Sequence, residues 1–200
     1  GRLPMTFPIG EGQIPFYYNY KMPSRMMAKS PKLINDIPVR AYQFSVGETS
    51  YWLEYGNKPL YPFGYGLTYT TFEYGAVQLS DTILSLSGKP QSIIASCEIT
   101  NTGHCDAVAV PQLYIRDVVG TLTRPLRELK GFQRVNIPAG ETRTVSFEIS
   151  EQDLAYWHLA DGVTLGSDGE YAFSAEKGDF HVWIAPNAAE GQYIPFTLVE

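Results

Sequence analysis

From residue 72 onward the chain reads as short runs of β-branched and aromatic residues separated by turn residues, the spacing of an all-β sandwich. The clearest run covers residues 92–100, where Ile93, Ala95, Cys97 and Ile99 alternate with Ile94, Ser96, Glu98 and Thr100. That period of two gives one strongly apolar face. Further strands are predicted over 72–79, 108–116, 129–135, 142–149, 170–174, 179–184 and 193–199. The turns have their own chemistry: Asn101, Thr102 and Gly103 close one strand, and Pro138, Ala139 and Gly140 separate two others. Pro111 demands an edge position or a bulge, because proline cannot donate to a ladder. Ser150 with Asp153 three residues later predicts a capped helical turn through Leu154. The architecture implied is a Greek-key sandwich of about seven or eight strands.

The first third of the chain lacks this regularity. Eight of the fourteen prolines lie between Pro4 and Pro62, and ten of the fourteen tyrosines between Tyr17 and Tyr74. Proline biases its neighbourhood toward extended backbone and turns, so residues 3–8 and 13–18 are the only strand candidates here. They cannot make a core alone. The stretch is too apolar for disorder and too long for a free loop, so it is expected to lie on another domain. The change of character near residue 65 places a domain boundary between 1–64 and 65–200.

Composition narrows the function. A net charge of −6 and a pI near 5.1 argue against a nucleic-acid surface. No apolar run approaches the length of a membrane span, so no membrane partner is expected. Cys97 and Cys105 match neither zinc nor thioredoxin spacing, which leaves two free thiols or a loop-closing disulfide, with free thiols favoured. His104, His158 and His181 are scattered without ligand spacing, and neither metal nor cofactor is expected. No phosphate loop or nucleophile elbow is present.

Several segments, taken in order, resemble the C-terminal region of family 3 glycoside hydrolases. GRLPMTFP at 1–8 and GQIPFYYN at 12–19 are similar to the end of that family's second domain, an α/β sandwich. PLYPFGYGLTYTTFEY at 59–74 resembles the approach to the third domain. ITNTG at 99–103, QLYIRD at 112–117, RPLRELKGF at 124–132 and PAGET at 138–142 resemble the fibronectin type III-like domain itself. Within Pro62 to Gly66, the glycines permit sharp turns while Phe63 and Tyr65 supply apolar anchors, as a joint between domains would need. Arg124, Arg127 and Glu128 are candidates for a polar network near that joint. Pro23, Ser24 and Arg25 depart from the Gly-Arg-Pro common in the family, and Pro111 stands where Val is usual.

The resemblance implies a fold that is mainly β, an immunoglobulin/fibronectin type III-like Greek-key sandwich preceded by an extended segment from the end of an α/β domain. It implies a parent enzyme that is a retaining β-glycosidase of β-glucosidase type, with periplasmic or secreted placement. In such enzymes two carboxyl groups about 5 to 5.5 Å apart act as nucleophile and acid/base. By the same resemblance both lie upstream, so this chain is expected to contain no catalytic residue. Its expected partners are the upstream catalytic domains and, for the intact enzyme, a β-linked oligosaccharide. Among the aromatic residues, Tyr51 and Trp52 are the candidates for sugar stacking, with burial at the joint as the alternative. Two rival readings are a carbohydrate-binding or protein-interaction module, and a homodimer formed through the N-terminal segment.

Overall fold

The computed structural model describes residues 1–21, 26–27, 29–42, 49–160 and 171–200. The departures at Pro23, Ser24 and Arg25, and Glu170 at the head of a predicted strand, lie outside them. In chain order the strands are β1 (Met26–Met27), β2 (Thr49–Ser50), β3 (Phe72–Tyr74), β4 (Gln78–Leu79), β5 (Ile83–Ser85), β6 (Ser92–Asn101), β7 (Ala107–Ala109) and β8 (Gln112–Asp117). They continue with β9 (Glu128–Phe132), β10 (Val135–Ile137), β11 (Thr142–Ser150), β12 (Tyr156–Leu159), β13 (Tyr171–Ser174), β14 (Gly178–Ala185) and β15 (Ile194–Val199). One helical turn, α1 (Glu151–Leu154), follows β11. The Asp153 carboxylate accepts from both the backbone N–H (2.8 Å) and the hydroxyl (3.0 Å) of Ser150, so the cap read from the sequence is formed.

Two sheets face each other. One has the order β11-β6-β3, with β4 also on β6, and the other β5-β15-β14-β8-β9. The alternation of 92–100 is realised in β6, whose Ile93, Ala95 and Cys97 lie opposite Ile149, Phe147 and Val145 of β11. These residues meet Leu113, Ile115, Phe180, Val182, Phe196 and Leu198 from the other sheet in one buried core. Enclosing an aliphatic or aromatic side chain contributes about 1.5–3 kcal/mol each, which makes this layer the main source of stability.

Several predicted strands are corrected. Residues 108–116 form two strands, because Pro111 follows β7 and lets the chain pass from the β7–β10 pair to a place between β14 and β9 in the five-stranded sheet. The same break recurs at Gln133 and Arg134, between β9 and β10. Residues 72–79 divide into β3 and β4, while β5 and β12 were absent from the sequence reading. Residues 3–8 and 13–18 are not strands. Phe7 makes a single bridge to Tyr61, and Glu11–Gln13 is a 3-10 turn. The Leu3 and Phe7 amides donate to Tyr65 and Tyr61 (2.8 Å each). A homodimer would therefore have to use other backbone groups. Both cysteines are free, Cys97 buried and Cys105 exposed.

The N-terminal segment forms a third layer on the outer face of the five-stranded sheet. Strand β8 and the end of β14 are buried on both faces, which is why LYI and VWIA read as unbroken rather than alternating apolar runs. Outward-facing Tyr114, Trp183 and Ala185 pack against Tyr18, Phe63, Leu129 and Ala188. The Tyr18 and Phe63 rings stack at 4.1 Å, and Tyr18 presents its edge to Tyr114 at 6.4 Å. Gln112 fixes the polar side: its amide donates to the carbonyls of Gly64 (3.2 Å) and Pro186 (2.7 Å), and its oxygen accepts from the Tyr114 hydroxyl (2.5 Å). Gly64 is required there twice over. Its φ is +79°, and a Cβ would stand 2.1 Å from the Gln112 side-chain oxygen.

Two outcomes test this arrangement. Asn101 is fully buried, donates to the carbonyls of Cys105 (2.8 Å) and Ile137 (2.9 Å), and accepts from the Thr70 hydroxyl (2.6 Å). Asn101→Ala leaves those groups unpaired and is expected to cost about 3 kcal/mol in urea unfolding. Gly64→Ala is expected to loosen the third layer selectively, so that protease cleavage within residues 1–62 accelerates roughly tenfold while the sandwich resists digestion. An unchanged cleavage rate contradicts the role given to Gly64.

Candidate functional site

The third layer carries clefts of its own and along its contact with the sheet. One, of about 350 Å³, lies within the layer and is lined by Phe16, Tyr17, Tyr20, Tyr51 and Trp52, with Pro15, Lys21 and Ser50 completing it. Trp52 is held by reciprocal backbone bonds with Gly56, whose φ of +75° closes the tight turn 52–56. Its ring meets Phe16 edge-on at 5.1 Å, and Phe16 lies over Tyr20 at 6.4 Å. Tyr51 and Trp52 are both half-buried, so the two candidate residues share one aromatic cleft. Phe16, Tyr17 and Tyr20 complete it from more than thirty residues away in sequence. The cleft offers ring faces, phenol and serine hydroxyls and one ammonium. Among the described residues no carboxylate lines it. It is suited to holding a sugar ring.

A second cleft, of about 360 Å³, adjoins the first through Phe16, Tyr17 and Tyr20 and extends to Trp183 and Arg127. The Arg127 guanidinium lies 4.3 Å from the Trp183 ring centroid and donates to the Glu190 carbonyl at 2.7 Å. Burial lowers the Arg127 pKa and raises those of Tyr20 and Tyr114, with the arginine charge partly offsetting the rise in both tyrosines. Phe63 packs with Tyr18 on the outer face of the sheet, whereas Tyr65 stacks on Tyr61 at 4.9 Å.

The three residues expected to form one polar network divide between two places. Arg127 is at the joint. Arg124 instead lies over the Tyr156 ring at 3.9 Å and pairs with Glu128 (3.1 Å) and Asp117 (3.9 Å). Nearby Glu176 accepts from the hydroxyls of Tyr156 and Thr121 and from the Thr121 amide (2.8 Å). His158 bonds to the Leu159 carbonyl and the Ser174 hydroxyl, both at 2.8 Å. Burial raises the Asp117 pKa despite the Arg124 charge. These carboxylates are engaged in holding strands together. His181 stacks on Tyr193 at 3.8 Å, and among the described residues no three His, Cys, Asp or Glu side chains converge as metal ligands would.

On the β12–β13 hairpin, Trp157, Tyr171 and Phe173 are exposed by 65%, 62% and 56%. The Trp157 and Phe173 planes meet at 52°, so these two rings do not form a flat platform.

Residues 109–188 match the family described as the fibronectin type III-like domain. The whole chain is similar, at 36% identity, to 23% of the length of a periplasmic β-glucosidase of Salmonella typhimurium. It is 37% identical to a putative β-xylosidase of Formosa agariphila over 86% of this chain and 19% of that protein. The solved β-glucosidase of Listeria innocua in complex with glucose superposes on all of the chain and 24% of its own, with a TM-score of 0.75 and 28% identity. The chain thus spans about a quarter of the length of such relatives. Fold, motif order and sequence agree: the chain belongs to the C-terminal region of family 3 glycoside hydrolases, built around their fibronectin type III-like domain.

Proposed function

We propose that this chain is the non-catalytic C-terminal part of a retaining β-glycosidase of β-glucosidase type, exported to the periplasm or secreted. In this reading residues 65–200 form the fibronectin type III-like domain, which buttresses the upstream catalytic domains. Residues 1–64 are the end of the preceding domain and the linker between them. The upstream domains carry the nucleophile and the acid/base, and the substrate is a β-linked oligosaccharide. The observation that carries the reading is the seat of Tyr18 and Phe63 on Tyr114 and Trp183. It makes the linker part of the sandwich's packing, so a domain attached ahead of Gly1 is held at a defined position rather than on a tether. Exposed apolar side chains on the same segment, Ile14 at 64% and Tyr17 at 63% among them, supply surface for that domain to cover.

Tyr51 and Trp52 are assigned to an outer sugar subsite of the intact enzyme, where their cleft opens toward the substrate. A carbohydrate-binding module is the rival reading. The exposed hairpin aromatics favour it, and their tilt weighs against it.

The chain alone is expected to release no nitrophenol from an aryl β-glucoside. Turnover that survives rigorous purification contradicts the assignment of catalysis to upstream domains. In the intact enzyme Trp52→Ala is expected to raise KM for an oligosaccharide about fivefold with little change in kcat, the loss of one stacking contact of roughly 1 kcal/mol. Unchanged kinetics remove Trp52 from the subsite.

A further inference from the structure

Among the described residues the cations around the third layer lack acidic partners. Lys58, Arg116 and Arg127 line the 360 Å³ cleft, and no described Asp or Glu side chain does. The adjoining cleft contains Lys21 and again no described acid, and a third, of about 480 Å³, contains Arg2 and Arg134 on the same terms. Arg124, Lys130, Arg143 and Lys177 each find a carboxylate, whereas the exposed Lys29, Lys32, Arg40 and Lys89 form no ion pair among the described residues. None of the six cations around the joint forms an ion pair among the described residues.

Arg127 is otherwise engaged, by Trp183 and the Glu190 carbonyl. Arg116 and Lys58 are not. Arg116 projects from the outer face of β8, one strand in from the sheet edge and near the end of that strand, where it is half-buried and shares its cleft with the exposed Lys58 and a second guanidinium. A desolvated cation beside a like charge is unfavourable until a carboxylate joins it. Around these cations the surface is aromatic and aliphatic, the composition of an interface core in which arginine and tyrosine are enriched. The matched relative has more than three quarters of its length outside the part that corresponds to this chain, which is ample polypeptide to supply the missing partner.

We propose that this face docks on an acidic surface of the upstream domains, with Arg116 and Lys58 donating to its carboxylates in ion pairs across the contact. The inference rests on the buttressing role proposed above and adds the chemistry of the partner: the contact is ionic at its centre, and therefore sensitive to salt.

Calorimetry of the intact polypeptide at 20 mM and 500 mM NaCl separates the two ideas. At low salt the upstream domains and the sandwich are expected to unfold in one transition. High salt is expected to lower it by about 4 °C, since the screening length falls well below 10 Å. The double variant Arg116→Gln, Lys58→Gln should show that lowering already at 20 mM and lose most of the salt dependence, while Arg116→Lys should keep it. A single transition at the same temperature in wild type and double variant, at both salt concentrations, overturns the ionic contact and leaves docking intact. Two independent transitions in the wild type at low salt overturn docking itself. The double substitution in the 200-residue chain is the folding control. It is expected to leave unfolding unchanged, and a drop of similar size there assigns the effect to the sandwich and overturns the proposal.

Discussion

The arrangement depends on a sheet that must be covered on both faces. In a two-layer sandwich each strand hides one face and wets the other. Here β8 and β14 place Tyr114 and Trp183 on what would be the wet face, and these rings require cover. Tyr18 and Phe63 provide it, although they are forty-five residues apart. An irregular, proline-rich segment is thereby drawn against the sheet, where Gln112 reads its backbone through the Gly64 carbonyl. Glycine at position 64 lets the chain approach that closely and turn with positive φ. Arg127 seals the edge by lying across Trp183, a contact contributing about 1 kcal/mol when partly desolvated.

From this constraint the division of labour follows. The inner core can be satisfied by the sandwich alone, since Ile93, Phe147, Val182 and Phe196 need nothing from the first sixty residues. The outer face cannot. Coupling the two makes the position of the first sixty residues a consequence of sheet packing, and the aromatic cleft of Tyr51 and Trp52 inherits that position through Phe16 and Tyr20. The acidic groups play another part. Asp117, Glu128 and Glu176 tie the loop 118–127 and the β12–β13 hairpin to the end of the sandwich, and none faces the clefts at the joint.

Much of the sandwich was legible because alternation is a local property. The inward face of β6 could be read residue by residue, and so could the cap at Ser150 and Asp153. Strand changes were harder, because Pro111 looks the same in sequence whether it kinks one strand or separates two. What decides is the sheet each half joins, and that depends on partners such as β10 and β14 far along the chain. Strand β12 was missed because a helical turn and a buried histidine interrupt the apolar pattern around it. At the candidate site the sequence singled out Tyr51 and Trp52 for their chemistry. It left Phe16, Tyr17 and Tyr20 unmarked, since only folding brings them together. Tyr114 and Trp183 did carry a signal, the unbroken apolar runs of β8 and β14, which mark strands covered on both sides. Arg124, Arg127 and Glu128 could not be sorted from sequence, because Arg124 and Arg127, three positions apart ahead of β9, turn to different neighbours, Glu128 and Trp183.

Native-state hydrogen exchange on the 200-residue chain tests the covered outer face most directly. The amides of Leu3, Phe7, Gly64 and Ala188, which bond to Tyr65, Tyr61, Leu3 and Phe63, report on the third layer. Amides of β8 and β14 report on the sheet beneath it. If the outer face is closed by Tyr18 and Phe63, the two sets are protected together, with opening free energies that fall in parallel as urea is added. Free-peptide exchange at Leu3, Phe7, Gly64 and Ala188 while β8 and β14 remain protected would contradict the account, for it would leave Tyr114 and Trp183 without their cover.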